Sequence, residues 1–132
     1  MKIVFDSNIF ISAFAIPRGQ AEKAIAKIIE ENHSLMISKE IIGEVLRVLG
    51  VKFSKDKEAL SRTALFLSDL AHLVRAKRKI KALKDDPDNR ILECAVAGQA
   101  EIIVTGDREM LRLQEFEGIK IVSLKEFLGY RP

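Results

Sequence analysis

Asp6, Glu44, Asp88 and Asp107 are the residues with which this chain of 132 residues could do chemistry. Asp6 closes the apolar run Lys2-Ile3-Val4-Phe5, and Asp107 follows Ile102-Ile103-Val104-Thr105-Gly106. Carboxylates just past the ends of two buried strands meet only if those strands are neighbours in a parallel sheet. Such sheets bind ligands beyond their carboxyl ends. Converging like charges repel unless something positive sits between them. The usual solution is a hard divalent cation, because Mg²⁺ and Mn²⁺ take carboxylate and water oxygens. The pattern therefore reads as a metal site turned toward a phosphate.

The elements that must position these groups alternate along the chain. Residues 2–5 read as a short buried strand, and Asp6-Ser7-Asn8 opens a helix to about Ala13, capped by Ser7 or Asp6. Pro17-Arg18-Gly19 is a turn, and helical spacing of Ala21, Ala24, Ile25, Ile28 and Ile29 predicts a helix from Gln20 to Glu31. Leu35-Met36-Ile37 is a brief strand, after which Ser38 caps a helix carrying Glu44 about two turns in. A long helix runs from Ser54 or Lys55 to about Ala71, and His72–Ala76 is a third strand. After a basic loop, Asp88 begins a helix that Gly98 stops. Glu101–Thr105 is a strand, a short helix runs from near Asp107 to about Phe116, and Ile119–Val122 is the last strand before a helical turn capped by Ser123. Four or five strands alternating with helices imply an α/β fold: a parallel sheet sandwiched by helices.

The bulk composition fits one domain over residues 1–132. Apolar residues make up 48%, enough for a core, but aromatics are only 6% and Trp is absent, so Ile, Leu, Val and Ala must build it. No apolar run approaches the roughly 18–20 residues that span a bilayer. A signal peptide is not expected, because Asp6 and Asn8 interrupt the first apolar segment. The single cysteine, Cys94, excludes an internal disulfide and suits a reducing cytoplasm. No Cys/His cluster offers a zinc site. The net charge of +3 permits a nucleic-acid partner without proving one. The stretch from Arg75 to Lys84 is densely positive. It reads either as a solvated surface or as a phosphate-backbone contact beside the acidic groups.

At the acidic positions the chain resembles the PIN-domain nucleases. The resemblance rests on Phe5-Asp6-Ser7-Asn8, on Ser38 through Glu44-Val45-Leu46, on Asp86-Pro87-Asp88-Asn89 through Ala95, on Val104-Thr105-Gly106-Asp107, and on Ile119 through Leu128. It covers residues 2 to about 128 and is nearest to the toxins of type II toxin–antitoxin systems. The resemblance implies a three-layer α/β/α PIN-like fold and cleavage of RNA phosphodiester bonds that depends on Mg²⁺ or Mn²⁺ and a metal-activated water. It carries the four acidic positions onto Asp6, Glu44, Asp88 and Asp107, the polar neighbour of the first onto Asn8, and the hydroxyl before the last onto Thr105. Asp85 and Asp86 crowd Asp88; Asn89-x-Ile91-Leu92-x-x-Ala95 sets the register on Asp88, and the alternative is that Asp86 approaches the metal in its place or beside it. The resemblance also implies 5′-phosphate and 3′-hydroxyl products, a homodimer or higher assembly, and a small antitoxin protein as partner.

Blander readings stand beside these. Asp6, Asp88 and Asp107 can each be a helix cap, and Glu44 an ordinary solvated helix residue. Cys94 reads as an inert core residue, and Arg90 and Arg108 as surface charges. Within the resemblance, an RNA-processing nuclease outside a toxin–antitoxin system stands as the alternative to a toxin, and two other functions compete. Phosphoryl transfer to an aspartate also uses acids at strand ends, but Asp6-Ser7-Asn8 lacks the second Asp of the haloacid-dehalogenase motif, and the paired acid and late lysine of a receiver are not well placed. A non-catalytic RNA-binding module would not need acids at all four positions.

Overall fold

The computed structural model describes residues 1–131. Strand β1 (Lys2–Phe5) lies between β2 (Ser34–Ile37) and β4 (Ile102–Val104), and Ile3, Val4 and Phe5 are completely buried. A strand covered on both faces needs apolar side chains at every position, which Ile-Val-Phe supplies. The sheet order is β3-β2-β1-β4-β6-β5, with β3 at His72–Leu73, β5 at Glu115–Phe116 and β6 at Ile119–Val122. All pairings are parallel except β5 with β6. The sequence expectation of four or five parallel strands becomes six, one of them antiparallel.

Helices flank the sheet. They are α1 (Ser7–Ala15), α2 (Gln20–Glu30), α3 (Lys39–Lys52), α4 (Lys57–Leu70), α5 (Asp86–Ala97), α6 (Arg108–Leu113) and α7 (Leu124–Gly129). Helix α5 packs on β1 and β2, α1 packs on α2 and α3, and α7 on α2. Phe5 joins the layers, its ring meeting Phe10 at 5.6 Å and Phe127 at 5.7 Å. Among the described residues, no helix is long and apolar enough to cross a membrane.

Strand ends hand over directly to capped helices. Asp6, Ser38, Asp107 and Ser123 are the N-caps of α1, α3, α6 and α7, and Ser123 forms a reciprocal capping box with Glu126. The positive ends of these helices therefore collect at one edge of the sheet.

Several sequence expectations are corrected. Helix α4 starts at Lys57 behind an Asp56 cap, and of His72–Ala76 only His72 and Leu73 pair as strand. The helix after Asp107 ends at Leu113, not Phe116, because Gln114 adopts φ +61° and reverses the chain. Glu117 (φ +48°) and Gly118 (φ +84°) then make a two-residue hairpin turn of the kind that suits strand twist. Helix α5 starts at Asp86, with Asp85 as cap and Pro87 in its first turn, so Asp88 lies inside that turn. Gly98 does end α5, but with φ −84°, not a left-handed one. Its lack of a side chain matters for another reason: a Cβ there would meet Met36 at 3.0 Å.

Candidate active site

The register of the central strands decides where Asp6 and Thr105 stand. Phe5 pairs with Val104, so the next residues, Asp6 and Thr105, emerge side by side beyond the sheet. The Asp6 backbone N–H continues the ladder to the Val104 carbonyl at 2.9 Å. The Thr105 hydroxyl donates to Asp6 Oδ2 at 2.6 Å and accepts from the Asp107 backbone N–H at 3.0 Å. Thr105 is fully buried and Asp6 nearly so. This one hydroxyl thus ties the first acid to the backbone of the last. Asp107 Oδ1 accepts from the Met110 N–H at 3.0 Å, which caps α6. Cap and site are compatible roles here, since the cap occupies one oxygen.

Asp88 arrives from α5. Its side chain is 7% exposed, and no described residue donates a hydrogen bond to its carboxylate. Burial, and then repulsion from Asp107, Asp6 and Asp85, raise it from the ordinary 3.8 to about 7. Burial also raises Asp6, opposed by the hydrogen bonds from Thr105 and Asn8 and reinforced by Asp107. Asp6, Asp88 and Asp107 therefore feel each other's charge, and Asp85 joins them.

Glu44 stands apart from this set. Its carboxylate is held by Arg47 at 2.8 Å, and its charge is not among those acting on Asp88 or Asp6. The Asn8 backbone N–H lies 3.4 Å from Asp6 Oδ1, and its side chain is exposed. Asp86 is exposed and lies 3.4 Å from the Asn89 amide.

An open cleft of ≈ 620 Å³ is lined by Ala82, Leu83, Lys84, Asp85, Asp88, Asp107 and Glu109. Among the described residues, no three His, Cys, Asp or Glu side chains close into a ready metal cage. The donors are nonetheless those a hard cation takes: carboxylate oxygens beside solvent, those of Asp88 with no hydrogen-bond donor among the described residues. Mg²⁺ characteristically keeps several waters and uses one or two carboxylates plus substrate phosphates, not an all-protein cage. The residues fit such an ion.

The sequence pattern used Asn89 only to set the register and passed over Glu93, and both brace the segment that leads into the cleft wall. Asn89 is 1% exposed, and its side chain accepts from the Leu83 N–H and donates to the Leu83 carbonyl, both at 2.8 Å. Glu93, also buried, accepts from the Ile80 N–H at 2.9 Å. Its other oxygen lies 2.9 Å from Arg90 Nε, off hydrogen-bonding geometry. Two polar residues four apart on a buried helix face were the signal available.

A profile of the PIN domain matches residues 2–109. The chain belongs to the PIN-domain family. PIN domains are generally nucleases that use divalent metal ions. An uncharacterized protein of Methanocaldococcus jannaschii is 27% identical over 140 residues, spanning 97% of this chain and 90% of that protein. Among solved structures, a chain of VapBC2 from Rickettsia felis, bound to a DNA fragment from its promoter, shares the fold. It superposes with a TM-score of 0.68 at 18% identity, over 93% of this PIN domain and 98% of that chain.

Proposed function

We propose that this PIN domain is an Mg²⁺- or Mn²⁺-dependent endoribonuclease acting in the cytoplasm as the toxin of a toxin–antitoxin pair. The observation that carries the reading is Asp88: a largely buried residue whose carboxylate has no donor among the described residues, repelled by Asp107 and Asp6, on the wall of an open cleft. Three acids would not be held together against their repulsion without use for a cation.

Asp6, Asp88 and Asp107 would hold the ion, with Glu44 at the edge of the site once released from Arg47. When bound, the ion supplies an activated water and neutralises charge on the phosphoryl oxygens. The protein's part is position. The Thr105 hydroxyl fixes the Asp6 carboxylate, and the α6 cap fixes Asp107. Asn8, exposed beside Asp6, would order a phosphate oxygen. Neither histidine takes part: His33 bonds Glu31 and His72 lies on the edge strand. The products carry 5′-phosphate and 3′-hydroxyl ends.

The fold shared with a VapBC2 chain supports the toxin role, with a small antitoxin as partner. Leu65 and Phe66 on α4, exposed at 66% and 40%, give a dimer or an antitoxin apolar surface to cover. The test is cleavage of RNA with Mg²⁺, Mn²⁺ or a chelator. Wild type cleaves only with metal, and Asp6→Asn or Asp107→Asn lowers the rate by about a thousandfold or more. Equal cleavage by both variants under chelation contradicts the proposal, and slow labelling of the protein by a phosphodonor would favour phosphoryl transfer instead.

A further inference from the structure

The segment between β3 and α5 contains no regular element, yet it is tied down along its length. The Val74 N–H bonds the Ile37 carbonyl at 2.8 Å. Arg78 grips Glu117 through two bonds of 2.7 and 2.9 Å. Ile80 is buried, with its N–H on Glu93, and Leu83 is paired at both backbone groups with the Asn89 side chain. Residues 80 and 83 thus lie against 93 and 89 of α5, running antiparallel to the helix toward the cleft. A buried amide that satisfies both backbone groups of one residue is a fixed joint, because breaking it leaves buried donors and acceptors without partners.

The next residue after that joint is Lys84, which enters the cleft wall beside Asp85, Asp88 and Asp107. Among the described residues Lys84 forms no ion pair, whereas Arg78 is committed to Glu117. Lys77, Lys79 and Lys81 are exposed and also unpaired among the described residues, so the positive charge continues outside the cleft. A cation inside an acidic cleft, continued by others outside it, suits a polymer of phosphates better than a single phosphate ester.

We propose that Lys84 binds the RNA backbone phosphate adjoining the scissile one, and that Asn89 is a positioning residue that fixes Lys84 through Leu83. The substrate strand then leaves the cleft along the segment from Arg75 to Lys84. The assignment rests on the nuclease reading of the cleft, and the experiment separates the two.

Binding of a fluorescein-labelled single-stranded RNA of about 20 nucleotides is followed by anisotropy across a salt series, in an Asp6→Asn background. Lys84→Ala is expected to weaken binding roughly three- to tenfold and to reduce the slope of log K against log salt by about 0.7, the value for one single-strand phosphate contact. Asn89→Ala should reproduce that reduced slope. The double variant should bind no more weakly than Lys84→Ala alone, because Asn89 acts through Lys84. A purely structural loss at Asn89 would instead add to the Lys84 loss and leave the slope unchanged, which overturns the positioning role. Lys84 is exposed, so its variant folds, and an unchanged slope in Lys84→Ala overturns the proposal outright. If wild type cleaves RNA with metal but Lys84→Ala binds as before, the docking assignment alone fails. If the slopes change as expected while wild type cleaves nothing, the nuclease reading fails and the docking assignment stands.

Discussion

Replacing Asp88 with asparagine should stabilise the metal-free protein while ending its catalysis. The Asp88 carboxyl is lifted from 3.8 to about 7 by burial and by Asp107, Asp6 and Asp85. The folded protein therefore holds this proton more tightly than the unfolded chain does. The corresponding stability is intact below a pH of about 4 and is lost as pH rises to about 7 and the carboxylate ionises among its neighbours. At about 1.4 kcal/mol per tenfold change in proton affinity, the full loss is between about 4 and 5 kcal/mol. Water at the cleft mouth screens part of it, leaving roughly 2–4 kcal/mol. Asparagine cannot ionise and removes this cost. Asp6 is raised in the same direction, and because its charge also acts on Asp88, the difference between wild type and variant includes the relief of Asp6. The assay is urea denaturation in chelator from pH 4 to pH 8. Asp88→Asn should exceed wild type by roughly 2–4 kcal/mol at pH 8 and come within about 1 kcal/mol of it at pH 4. Adding Mn²⁺ at pH 8 should then raise wild type and leave the variant nearly unchanged. Parallel pH curves for the two proteins would refute the reasoning.

Thr105→Val removes the hydroxyl between Asp6 and the Asp107 backbone at nearly constant volume. It should cost about 1–3 kcal/mol in urea denaturation and lower RNA turnover more than RNA binding. Lys27, buried on α2, donates to Glu31 at 2.8 Å and to the Tyr130 carbonyl at 2.7 Å, over the Phe127 ring. Lys27→Met should destabilise by about 1–3 kcal/mol and speed proteolysis after α7, as read by mass spectrometry of the cleaved ends. Burial pushes the Cys94 thiol up to about 12, so Ellman's reagent should label it only once denaturant opens the core.

The rhythm of strand, cap and helix was legible because local chemistry enforces it. Phe5-Asp6, Ile37-Ser38 and Val122-Ser123 each place a capping side chain where an apolar run stops, and each is a strand-to-helix junction in the structure. The short β5 strand was not legible. Glu117-Gly118 lacks the Asn or Asp that marks such turns, and two residues carry no period to detect. The neighbouring positions of Asp6 and Asp107 followed from two buried strands, once those strands are adjacent. Glu44 shows where position along a helix is insufficient: Arg47, three residues on, supplies a local partner. The polar pair Asn89 and Glu93 on a buried helix face was visible, but not its role, because the partners are backbone groups of an irregular segment that leave no side-chain signature.

The most direct measurement is Mn²⁺ binding followed by electron paramagnetic resonance on the purified protein. Wild type should bind the ion at neutral pH, releasing protons from Asp88 as it does so, while Asp6→Asn, Asp88→Asn and Asp107→Asn each weaken binding by about tenfold or more. Binding that is equal in wild type and in all three variants would show that these carboxylates do not hold a divalent ion.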